Sequence, residues 1–240
     1  MELYECKKTV RSVKAALAVD GRSLPNTARG DGIMLLTGKL TPDEYLSPLI
    51  SKSKLAKQPN KRTVNLYVFL RALQFLNAHM TECPTHKTLT ALNKALYGDF
   101  ERQAGKLRAE ERCTFGNAHT SPKYISSSLK KIISKMNDTP SADVCSKHDF
   151  AGYISHYMRE LYILHPMETG SELTVRIFIM LFCELKGFSL CFYRVPPSQI
   201  AESERVAFCA DDIAPLYNVL DTCLSYSTAQ KKPKKTSAHA

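Results

Sequence analysis

The stretch LHPMETGSELTVRIFIMLFCELKG, residues 164–187, decides how the chain is read. Its second half, Leu173–Lys186, is so apolar that a helix there has no face to spare for water. Such a helix belongs in the middle of a bundle, and Gly187 supplies its stop. The first half sets a His-Pro pair and a single glycine, Gly170, ahead of that helix. Two readings of the junction stand open. Thr169-Gly170-Ser171-Glu172 has the spacing of a T-x-x-E capping box, which satisfies the free N–H groups of a helix start. The same N–H groups can instead cradle phosphate, because a helix N-terminus attracts anions.

Outward from this stretch the pattern stays helical. Asp149–Leu164 and Tyr124–Met136 are amphipathic, and Ala214–Ser227 reads as a last helix. Between them CTFGNAHTSP (113–122) carries Gly, Asn and Pro and is a loop or hairpin candidate. Thr88–Phe100 is a shorter helix, and Leu66, Phe69, Leu70, Leu73 and Leu76 share one face of a longer one. Towards the N-terminus, Thr9–Val19 ends at Asp20-Gly21 and Asn26–Leu36 ends near Gly38. Thr41-Pro42-Asp43-Glu44 opens a third helix with a cap, a proline at its first position and acids in its first turn. These signals divide the chain into helices over 1–52, a polar basic linker over 53–62, a main helical domain over 63–226 and a basic tail over 227–240 expected to be disordered.

Composition bounds the function. The 240 residues, 44% hydrophobic and 23% charged, suit a soluble globular chain of one large domain with a small appendage. No apolar run approaches a bilayer span: Ile177–Cys183 is the purest, and Glu184 ends it. The opening MELYECKKTV has no apolar core of a secretory signal. The eight cysteines are scattered without a CxxC pair, which suits reduced thiols in a cytoplasmic compartment and argues against zinc. Of the formal net charge of +10, KKPKK at 231–235 supplies four units. No aromatic and basic interleaving accompanies the surplus, so a solvated surface is favoured over a nucleic-acid interface. His79, His86, His119, His148 and His156 stand as singletons and read as surface or satisfied core groups.

Several segments in order resemble the Fic (filamentation induced by cAMP) family. ALYGDFERQAGKLR (95–108) is similar to the stretch before that family's active-site flap, with Gln103 where a Trp is usual. FGNAHTSPKYISSSLKKI is similar to the flap and the helix after it, and HPMETGSELTVR to the signature HxFx(D/E)GNGRxxR. The resemblance implies an all-α Fic-type bundle with a short β-hairpin flap. GDGIMLLTGKLTPDEYLSPLI resembles the small three-helix antitoxins that accompany Fic toxins. Their inhibitory motif (S/T)xxxE(G/N) falls on Ala16 to Asp20-Gly21, with Ser/Thr become Ala and Glu become Asp.

The resemblance also assigns roles. His165 is the catalytic base that takes a hydroxyl proton; Gly170, Ser171 and Arg176 are the phosphate and nucleotide contacts. The metal-ligand position is Thr169, and Glu168, one residue off, is the candidate carboxylate. Thr114, Phe115 and Gly116 form the flap along which a protein target docks; Asp20 and Gly21 are inhibitory. Glu172 brings a negative charge to the phosphate cradle, and Leu173 replaces the signature's first arginine. With Leu173 there, Asp20 is expected to find no cation, leaving its helix only a packing role. The implied activity is AMP transfer from ATP with Mg²⁺, reduced, altered or lost in this chain, in which case no cofactor is needed. The alternatives are an active transferase of AMP or another phosphate-containing group and a non-catalytic protein-binding module, with homo-oligomerisation open.

Overall fold

The computed structural model describes residues 3–55, 60–79 and 83–227. Among them ten α-helices build the molecule: α1 Leu3–Val19, α2 Ala28–Leu36, α3 Pro42–Leu55, α4 Lys61–His79, α5 His86–Tyr97, α6 Pro122–Asn137, α7 Lys147–Leu164, α8 Ser171–Leu185, α9 Pro197–Cys209 and α10 Ala214–Cys223. Strands β1 Cys113–Thr114 and β2 Asn117–Ala118 form one antiparallel hairpin; β3 Phe188–Leu190 and β4 Leu224–Tyr226 form another antiparallel pair. The architecture is therefore the helical bundle with a hairpin flap that the sequence implied.

Helix α8 is the axis of the bundle. Every residue from Leu173 to Cys183 is buried, as its all-round apolarity requires. It packs against α1, α4, α5 and α7. Helix α4 is nearly as enclosed: Asn65–Leu70 are all buried, so its interior face is broader than the single stripe read from the sequence. The N-terminal helices join the same core. Cys6, Val10, Val13, Ala16 and Leu17 of α1 and Leu46 of α3 are continuous with the core residues of α4 and α8. Gly32 of α2 allows that packing, since a Cβ there would lie 2.8 Å from Leu73 Cδ1 and 3.1 Å from both Phe69 and Val10.

Several boundaries move. Helix α1 begins at Leu3 rather than Thr9, and α3 continues through Leu55, into the expected linker; α4 starts at Lys61. Residues 56–59 of that linker, and 228–240 of the expected basic tail, lie outside the described residues. The Thr41–Glu44 cap forms as read, with Glu44 N–H donating to Thr41 Oγ1 at 3.4 Å and Thr41 Oγ1 donating to Glu44 Oε2 at 2.6 Å. The last helix stops at Cys223, not Ser227, because Leu224–Tyr226 turn extended and pair with Phe188–Leu190. Helix α9 was not foreseen. Its sequence PSQIAESERVAFC has only Ile200, Ser203, Glu204 and Ala207 buried, too weak an apolar stripe to stand out.

If α8 is the axis, truncating its centre must cost far more than any surface change. Phe178→Ala should lower the unfolding free energy by about 3–5 kcal/mol, whereas Val144→Ala should stay within about 0.5 kcal/mol. Equal shifts of the two in chemical denaturation would refute this assignment of the core.

Candidate functional site

The site is built at the junction between α7 and α8. Helix α7 ends where Pro166 cannot continue it, and His165 takes a left-handed conformation, φ 44° and ψ 63°, with its N–H still donating to Leu161 O at 3.0 Å. The next residues pair with the segment before the flap: Leu107 and Met167 form an antiparallel bridge, and Arg108 N–H donates to Pro166 O at 2.9 Å. Gly170 then caps α8 with φ 60°. A Cβ at this position would lie 2.4 Å from the Tyr97 ring, so both conformation and space require glycine. Asn93, fully buried on α5, ties the turn together by donating to Thr169 O at 2.7 Å and accepting from Gly105 N–H at 2.7 Å.

Two arginines clamp this junction to the flap. Arg108 is buried and donates to the last carbonyls around α7, His165 O at 3.1 Å and Leu164 O at 3.4 Å, and to Thr120 O and Glu110 O at the base of the flap. Arg112 Nη1 lies 3.0 Å from His165 Nε2. Because a guanidinium only donates, Nε2 must be the unprotonated acceptor and the ring's proton sits on Nδ1, 3.6 Å from Glu172 Oε1. Burial, with His119, Arg112 and Arg108 nearby, pushes the His165 pKa down to about 3. The imidazole is neutral, and its basic nitrogen is already occupied.

The flap itself is a tight hairpin in which Phe115 (φ 52°) and Gly116 (φ 80°) both take the left-handed region that a type I′ turn needs. Phe115 is exposed at its tip. Behind it His119 stacks on Phe208 and lies tilted by 43° against His165, with ring centroids 4.5 Å from each. His119 Nε2 meets Thr114 Oγ1 at 2.8 Å and Nδ1 meets Tyr162 O at 3.1 Å. A carbonyl can only accept, so Nδ1 carries the proton and Thr114 donates to Nε2.

The electrostatic centre is Arg176 on α8. Its Nε donates to Glu204 Oε1 at 2.8 Å and its Nη2 to Glu204 Oε2 at 2.7 Å, a forked pair with α9. Nη1 donates to Asp20 Oδ1 at 2.6 Å, at the end of α1. Tyr162 OH donates to Glu204 Oε1 at 2.6 Å and completes the network. Burial opposes the arginine's charge, but Glu204, Tyr162 and Asp20 hold it, and its pKa is raised well above the ordinary value. A cavity of about 240 Å³ opens beside this network, walled by Phe115, His119, His165, Glu172, Arg176 and Phe208.

The sequence reading thus needs three corrections. Asp20 does meet a cation, Arg176, one helical turn beyond the Leu173 position; Leu173 itself is fully buried core. The Thr169–Glu172 capping box does not form: Gly170 is the N-cap and no side chain caps the helix, while Ser171 Oγ, buried, accepts from Met167 N–H at 3.4 Å. His119 belongs to the site rather than standing alone. The other candidates are placed as follows. Glu168 accepts from Ala109 N–H at 3.1 Å, with Arg112 3.9 Å from its other oxygen. Gly21, with φ 67°, ends α1 beside Asp20. Glu204, Arg108 and Arg112 were missed. Arg108 and Arg112 lie in a polar run without periodicity, and Glu204 lies in the helix that was itself not foreseen.

No protein-family model matches the sequence, and no curated protein matches it. Solved structures do match the fold, which is that of the Fic-domain proteins. A Fic-domain-containing signaling protein from Bacteroides thetaiotaomicron aligns with TM-score 0.63 at 13% identity, over 92% of this chain and 84% of its own. Fic-1 from C. elegans aligns with TM-score 0.62 at 18% identity, over 90% of this chain and 60% of that one. BepC, a VirB-translocated effector from Bartonella tribocorum solved with bound AMPPNP, aligns with TM-score 0.61 at 17% identity, over 72% and 90%. No helix among the described residues is long and apolar enough to cross a membrane.

The buried neutral His165 has a consequence for acid stability. Its pKa falls from the ordinary 6.5 to about 3 on folding, so between these values the unfolded chain binds more protons than the native one. The contribution of neutral His165 is intact above pH 6.5 and is lost as pH falls below it. Between pH 7 and 5 the wild type should lose stability faster than His165→Gln in urea titrations; parallel losses would contradict the assigned state of the ring.

Proposed function

We propose that this protein is a Fic-fold chain of the protein adenylyltransferase type in which AMP transfer from ATP to a protein hydroxyl is absent or far below that of an intact site. The observation that carries the reading is the engagement of Arg176. The signature arginine kept in the sequence already has its fork on Glu204 and its remaining nitrogen on Asp20. A terminal phosphate would have to displace two carboxylates from a buried guanidinium, and separating such a pair costs several kcal/mol.

The rest of the site supports the same reading. Glu172 sits in the first turn of α8, where the amides would cradle phosphate, and its charge opposes that use. For a magnesium ion most nearby carboxylates are committed, Asp20 and Glu204 to Arg176 and Glu168 to the Ala109 N–H, while Glu172 lies 3.6 Å from His165 Nδ1. These residues do not fit Mg²⁺-ATP. The neutral His165, whose Nε2 faces Arg112, is likewise a weak base as it stands. The hairpin flap with exposed Phe115 favours a retained docking role for an extended protein segment.

Nucleotide remains the ligand to test, since a structural neighbour carries AMPPNP. Full-length protein incubated with labelled ATP, Mg²⁺ and cell lysate should give no His165-dependent labelling above about one hundredth of that of an active Fic transferase, since loss of even one stabilising donor costs 10²–10³-fold. Strong labelling of a protein, abolished by His165→Ala, would overturn this reading.

A further inference from the structure

Arg176 is held from two sides, and the two sides differ. The Asp20 carboxylate comes from the end of α1, makes a single contact at 2.6 Å and is 25% exposed. Glu204 comes from α9, makes two contacts, and is 10% exposed as a side chain. Its oxygens are also satisfied without α1, because Tyr162 of α7 donates to Oε1 at 2.6 Å. Helix α9 is seated on the bundle by buried Ile200 and Ala207 and by Arg159 Nε, which donates to Ala207 O at 3.0 Å. Nothing in that arrangement needs Asp20.

We infer that Glu204 sets the charge selectivity of this site: it closes Arg176 by itself, so that freeing Arg176 from Asp20 does not give the cavity a phosphate-binding guanidinium. The inference rests on the proposed closed site and specifies what closes it. A planar fork on a carboxylate, with both contacts below 3 Å and little solvent access, is the strongest pairing a guanidinium makes. A phosphate approaching in place of Asp20 would find one nitrogen, Nη1, and would face the Glu204 and Glu172 carboxylates across the same cavity. Three carboxylates, Asp20, Glu172 and Glu204, stand against two guanidiniums, Arg176 and Arg205, the latter with its fork already on Glu202, so the wall is anionic and removing Asp20 only brings it to balance. Anionic phosphate ligands are therefore rejected by α9, not merely by the N-terminal helix. The ligands the cavity admits are uncharged or cationic, with an apolar body that suits Phe115, Phe208 and the His119 ring.

The test uses the full chain, since α1 contributes Cys6, Val10, Val13, Ala16 and Leu17 to the common core and its deletion would expose that core. Inorganic tripolyphosphate, which carries charge without a base, is titrated calorimetrically at fixed ionic strength into the wild type and into Asp20→Asn, Glu204→Gln and the double variant. Asp20→Asn is expected to change affinity by less than about threefold. The double variant should bind at least about tenfold tighter, as a freed guanidinium gains a charge-assisted pair. That gain should vanish when Arg176→Met is added, which a general change of fold would not produce. A tenfold gain in Asp20→Asn alone overturns the inference and requires no Glu204 variant to fold. So does the absence of any gain in a double variant whose circular dichroism matches the wild type. Labelling of a protein by the wild type with ATP would instead overturn the closed-site reading, so the two failures are separable.

Discussion

One guanidinium, that of Arg176, joins three widely separated parts of the chain. It is carried by the central helix α8, in a position where burial leaves it no water to fall back on. An isolated charge there would be untenable, so the fold must supply carboxylates, and it takes them from opposite ends of the chain: Asp20 at the end of α1 and Glu204 in α9. The N-terminal helices, the central helix and the C-terminal helices therefore meet at one electrostatic point. The same network determines what the adjoining cavity can accept, because a guanidinium satisfied inside the protein is not available to a ligand.

A second arginine does comparable work for the loop. Arg108 donates to carbonyls of Leu164, His165, Thr120 and Glu110, joining the end of α7 to the base of the flap. This fixes His165 in its left-handed conformation and brings Arg112 against its Nε2. A histidine so held is neutral and hydrogen-bonded on its basic side. The electrostatics of the site favour a stable, occupied arrangement.

Much of the fold was legible because its strongest signal is also its structural axis. The apolar run Leu173–Cys183 has one physical interpretation, a helix buried all round, and the amphipathic segments beside it follow. The flap turn was visible in Phe115-Gly116-Asn117, although a hairpin and a loop were equally open. Other features left weak traces. Helix α9 buries only four of its positions, and β4 depends wholly on its partner β3 for its extended form. In the site, His165 and Arg176 were found through the family signature, and Asp20 through the inhibitory spacing, yet their pairing was misassigned. A linear pattern placed Asp20 opposite position 173, whereas the core took Leu173 inward and the next turn of α8 presented Arg176. Glu204 is far from either in sequence, and only the packing of α9 against α10, α1 and α7 brings it to the guanidinium.

The central claim is that Arg176 is committed to protein carboxylates rather than to a ligand. Nitrogen-15 magnetic resonance of the arginine side chains, with Arg176 assigned by its substitution, addresses this most directly. The account predicts a slowly exchanging Arg176 Nε–H whose frequency is unchanged by millimolar ATP and Mg²⁺. A rapidly exchanging Nε–H, or one that shifts on adding ATP, would contradict it.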